Sequence, residues 1–187
     1  MKWDEYRIVF GSDEDVIETL NRAAPHFFGI VQAVILDDIV LHVMRLFDRK
    51  GSAGKRRLSV RAMPDFVVAP FKVELERQID QAESKCGSLR SLRHSRLAHR
   101  QLDLSNGGAA LAPPVTRAEV SQALFECGEI LYAVSEHYGI GRFEYVQFVG
   151  LLTGGHALIS TLRAGLAARE EKQALVAAAL AANSGDE

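Results

Sequence analysis

Between Ser88 and Leu102 the chain reads SLRSLRHSRLAHRQL, which holds Arg90, Arg93, Arg96, Arg100, His94 and His99 and no acid. An imidazole titrates near neutrality and passes protons in either direction, while a guanidinium offers a fixed fork of donors to an anionic oxygen. Together these groups suit chemistry at a phosphate. Placed on a helix, Leu89, Leu92, Arg96 and His99 recur at spacings of three and four, so an apolar anchoring stripe turns into a cationic one. The plain alternative is a solvated or interface helix face whose arginines meet acids from elsewhere in the fold.

Other polar clusters carry less. Asp38 and His42 have the one-turn spacing that can hold a metal, but two ligands are not a site; with no HExxH or cysteine cluster beside them, a satisfied core histidine is the better reading and no metal is expected. Gly154-Gly155-His156 lacks the preceding strand and following Gly-Lys-Ser/Thr of a phosphate loop. His26 and His137 stand alone and read as structural. No serine sits in a nucleophile elbow, and neither cysteine has a predicted base beside it.

The rest of the chain must position the cationic segment. Its 187 residues suffice for one domain with its own core, expected to cover 1–187. A formal net charge of −2 excludes a generic basic nucleic-acid coat, so any RNA contact must come from a local patch. Cys86 and Cys127 form no CxxC pair and read as reduced structural thiols. The N-terminus lacks the basic start and apolar run of an export signal, and the apolar stretch Phe148 to Ala168 is interrupted by His156, Arg163 and glycines. A cytoplasmic protein without membrane contact is expected.

Helical periodicity dominates. Ser12 is predicted to cap a first helix running to about Ala24, after a short lead. Pro25 opens a long core helix whose apolar residues continue to Phe47, and Asp48 to Lys55 reads as a surface loop. One short helix or turn is expected between Leu58 and Pro70, bracketed by Pro64 and Pro70. Helix is predicted on both sides of a weak point at Gly87-Ser88, ending at the run 106–114. Thr116 and Glu119 have capping-box spacing and open a helix to about Tyr138, stopped by Gly139. Beyond Phe143 come one or two helices, with a possible break at Gly154-Gly155 and an Ala-rich tail after Glu170. Only 7–10 and 66–73 look β-like, so the expected fold class is all-α, an up-and-down helical bundle.

The string Leu92-Arg93-His94-Ser95-Arg96-Leu97-Ala98-His99-Arg100 resembles the signature of the HEPN superfamily, an Arg followed four to six residues later by His, with a polar residue directly after the Arg. His94 stands where Asn is the commoner choice. Leu-Ala-His-Arg, and Arg45-Leu46-Phe47-Asp48 closing the long helix, look most like the AbiU-type abortive-infection branch. The resemblance implies a HEPN-like core over 12–165, with 166–187 as a C-terminal helix or tail. It further implies a metal-independent endoribonuclease of defence or toxin type with no cofactor. Arg93 and His99 would be catalytic, and His94, Arg96, Arg100 and Arg90 would bind substrate.

Six residues of ideal helix turn Arg93 and His99 about 120° apart. The family's answer is a homodimer whose two motif helices share one cleft. RNA is the implied partner, with an antitoxin or regulatory protein as a further one. The alternative is a non-catalytic HEPN-type dimer that binds RNA, nucleotide or protein through the same cleft; a third reading is a helical scaffold, favoured if carboxylates saturate these arginines.

Overall fold

The structure is a computed structural model that describes residues 2–48, 58–94, 115–141 and 153–183. Among these there are seven α-helices, one 3-10 helix and no strand, as the periodicity predicts. The chain forms two compact units, one of Met1–Leu36 with Val146–Glu187 and the other Asp37–Tyr145.

In the first unit, α1 (Lys2–Phe10) occupies what the sequence suggested was a short lead with a β-like run. Its aromatic residues recur at helical spacing and bury Trp3, Tyr6 and Phe10, the Trp3 and Tyr6 rings stacking with centroids 5.5 Å apart. Helix α2 (Glu14–Ala23) is capped by Asp13, one residue later than predicted, whose carboxylate accepts from the Val16 amide at 3.2 Å. Both pack against α7 (Gly154–Asn183), which buries Gly155, Ile159 and Leu166. A helix starts at Gly154-Gly155, and the Ala-rich stretch continues it. A Cβ at Gly155 would lie 2.8 Å from the side chains of Ile8 and Val9, so only glycine allows this approach; the Gly155 amide donates to Glu5 Oε2 at 2.5 Å.

Helix α3 (Pro25–Leu46) starts at the predicted proline. Among the described residues it is the one helix long and apolar enough to cross a membrane. Asp37 and Asp38 lie within it, and beyond them Ile39, Val40, Val43 and Met44 are all buried in the second unit. The expectation of a core helix holds for this half. In the first half Phe27, Ile30 and Val34 are exposed, because periodicity identifies an apolar face but not what covers it.

In the second unit a 3-10 helix (Val60–Phe66) contains Pro64 instead of being bracketed by it. Helix α4 (Phe71–Ser84) breaks at Lys85-Cys86, two residues before the predicted point, and Gly87 begins α5 (Gly87–Leu92). The buried stripe runs unbroken through the joint: Leu75, Ile79, Ala82, Cys86 and Leu89 alternate spacings of four and three. It faces Val120, Ala123, Cys127 and Ile130 on α6 (Arg117–His137). The two lines run antiparallel: Phe71 stacks on His137 at 4.1 Å, Lys85 pairs with Glu126, and Ser88 bonds Glu119.

The capping box forms as predicted, with Glu119 N–H donating to Thr116 Oγ1 and Thr116 N–H to the Glu119 carboxylate. Gly139 ends the helix at φ 66°, the left-handed region. Thr116→Ala is expected to cost about 1 kcal/mol of stability, read as a lower urea midpoint at unchanged slope.

Burial pushes the Cys127 thiol up to about 12, with Cys86 nearby adding to the shift, and burial also raises Cys86. Both thiols are free, as expected. With thiolate suppressed at both, iodoacetamide at pH 8 should modify the native protein far more slowly than the urea-unfolded one; equal rates would contradict their burial.

Candidate functional site

Arg93 lies at the end of α5, and three features fix its place. Leu89 and Leu92 anchor the helix in the core. At its first turn, Ser88 bonds Glu119; that bond, with those from the Thr116 backbone and side chain, holds the Glu119 carboxyl below the usual carboxylate range. At its other end the Arg93 amide reaches the carbonyls of Arg90 and Leu89, and Arg93 and His94 then enter a wider π-type turn. Such turns recur where a helix changes register at functional sites.

The Arg93 guanidinium donates from Nη1 to Asp48 Oδ1 at 2.7 Å, within charge-assisted range, with the two side chains 32% and 17% exposed. Asp48 lies just past the C-terminus of α3, its amide bonded to the Arg45 carbonyl at 3.2 Å. A carboxylate is disfavoured at that end of a helix, where the last carbonyls carry negative partial charge, and a facing guanidinium compensates. The sequence reading placed Asp48 only in a loop and in the Arg-Leu-Phe-Asp string. Its signal was an acid closing a long apolar helix, where a cation is the favoured residue.

Arg90, three residues before Arg93, is half-exposed and pairs with Glu83 on α4, which also pairs with Arg61; Arg61 reaches Asp80 at 3.0 Å. Arg90 thus belongs to a surface network that ties α5 to α4. His94 is exposed. Arg96, His99 and Arg100 lie outside the described residues, as do the runs 49–57, where most of the expected surface loop falls, and 106–114.

His42 Nδ1 lies 2.8 Å from the Asp38 carbonyl and 3.2 Å from Asp38 Oδ1, with both side chains partly exposed. The pair exists, but on the surface of α3 and not as a core histidine. A groove between α4 and α6 is lined by Gln78, Gln81, Tyr132 and the carboxylates Glu126, Glu129 and Glu136. Its acids, of which Glu126 is paired with Lys85, make it less suited to a polyanion than the cationic segment.

The described residues are helical, and Arg93, which opens the Arg–His segment, closes α5, as suits a protein of HEPN type. The family model HEPN_AbiU2, described as AbiU2, matches residues 1–150, and the chain belongs to that family. Comparison with curated proteins and with solved structures gave no match.

Proposed function

We propose that this protein is a metal-independent endoribonuclease that acts in abortive infection. The observation that carries the reading is Arg93, held by Asp48 at the start of the Arg93–His99 segment in a chain of the AbiU2 family. In this mechanism the ribose 2′-hydroxyl attacks the adjacent phosphorus, and the bond from phosphorus to the 5′-oxygen breaks. His99 takes the hydroxyl proton or protonates the leaving oxygen, and Arg93 stabilises the charge growing on the phosphate oxygens. His94, Arg96 and Arg100 bind flanking phosphates. Arg90 would join them with the N–H groups that its bond to Glu83 leaves over.

The site is composite. A homodimer with two-fold symmetry brings two segments together and supplies four catalytic groups to one cleft. Its working place is the cytoplasm, and an antitoxin or regulatory protein holds it in check. The second reading is a HEPN-type dimer that binds RNA, nucleotide or protein without cutting; the third, a helical scaffold, is favoured by one observation: both described arginines of the segment, Arg90 and Arg93, meet carboxylates. One bond from Nη1 engages a single one of the five N–H groups of Arg93, which falls short of saturation.

The test compares a mixed-sequence RNA with its fully 2′-O-methylated form. Cleavage of the first alone supports attack by the 2′-hydroxyl; binding of both with cleavage of neither favours the second reading.

A further inference from the structure

We propose that Asp48 is a positioning residue for Arg93, an inference that rests on the ribonuclease reading but has a readout of its own. The two residues are 45 positions apart in sequence and come from different elements, the end of α3 and the end of α5, yet meet at 2.7 Å. Both side chains are part-buried, at 17% exposure for Asp48 and 32% for Arg93, much as in the Arg61–Glu83 pair. A fully exposed ion pair between mobile chains contributes little; a part-buried one is screened less by solvent and salt.

The backbone on each side is also fixed. Asp48 follows the buried Phe47, whose own amide bonds the Met44 carbonyl at 3.2 Å, and Arg93 follows the buried Leu92. A free arginine side chain samples many rotamers, and holding it ready removes that entropy from the reaction step. Anchored through Nη1, the planar guanidinium keeps further N–H groups on a fixed fork for a phosphate oxygen. The carboxylate therefore acts through Arg93 and touches no substrate. In chain order the device links the Arg-Leu-Phe-Asp string to the Arg–His segment, two strings that sequence alone leaves unrelated.

The experiment is a double-mutant cycle on the full chain with Asp48→Ala, Arg93→Ala and the double variant. Asp48→Asn is added as a variant of equal shape, and thermal melting checks folding throughout. Two probes are used: a 20-nucleotide mixed-sequence RNA for cleavage, and its 2′-O-methyl counterpart, which cannot be cut, for binding. The positioning role predicts that Asp48→Ala and Arg93→Ala each slow cleavage and each weaken binding of the uncleavable probe. It further predicts that the double variant is no worse than Arg93→Ala alone, within about twofold, because the Asp48–Arg93 pair is already lost in the single variant.

Asp48→Asn should retain part of the activity through its remaining acceptor. Additive losses in the double variant would show that Asp48 acts independently of Arg93 and overturn the proposal. Tighter binding by Asp48→Ala would overturn it too, and would make the carboxylate a competitor of the phosphate. If wild type binds the uncleavable probe but cuts no RNA, the ribonuclease reading fails while the binding cycle still decides the role of Asp48. If Arg93→Ala leaves both binding and cleavage unchanged, the proposal fails with no role for Arg93 to support.

Discussion

His99→Ala is expected to slow RNA cleavage by about 10²- to 10⁴-fold, the range lost when a positioned acid or base is removed. Arg93→Ala should cost about 10²- to 10³-fold, as when a donor to developing charge is deleted. The two losses should not add, because groups that act in one step fail as a unit. Arg93→Lys should restore little, since an ammonium that donates to Asp48 has no planar fork of donors left to present to phosphate. Initial rates on one labelled RNA, with melting curves to verify folding, measure these three variants and the Arg93→Ala/His99→Ala double. A His99→Ala enzyme of wild-type rate would remove His99 from the mechanism.

Leu75→Ala is expected to destabilise the second unit by about 2–5 kcal/mol, the cost of a cavity in a packed core. Leu75 on α4 is wholly buried, in the stripe that faces α6, and the same stripe continues through Cys86 to Leu89 and so sets where α5 stands. Urea unfolding measures the loss, and a change below about 1 kcal/mol would mean that this interface is not the packed core the burial pattern describes. The sites are linked mechanically: a shift of α4 against α6 moves α5, and Arg93 with it.

Much of this was legible because helices announce themselves by period. The capping box at Thr116, the glycine stop at Gly139 and the proline start of α3 depend on neighbours within one turn, and each lies where local chemistry put it. Helix α1 was not legible, since its nine residues carry no cap and its RIVF end has β-branched and aromatic residues that suit a strand equally well. The break in α4 falls at Lys85-Cys86 rather than Gly87-Ser88 because the stripe of buried residues, set by α6, holds Gly87 in helix. Pro64 lies inside a 3-10 helix, which tolerates it where an α-helix would kink.

For the site, residue types identified the cationic segment, and the resemblance to the HEPN signature singled out Arg93 within it. Asp48 was legible only as an acid closing an apolar helix; that it meets Arg93, 45 residues on, has no local signature. The same holds for the Glu83 pairing of Arg90, which depends on the relative facing of α4 and α5.

The most direct test is to incubate the purified protein with total RNA in EDTA, beside Arg93→Ala and His99→Ala, and to analyse the ends of the products. Cleavage by wild type alone, leaving cyclic phosphate ends, is the predicted result. Cleavage that disappears in EDTA, or that persists in both variants, would contradict a metal-free ribonuclease built on Arg93 and His99.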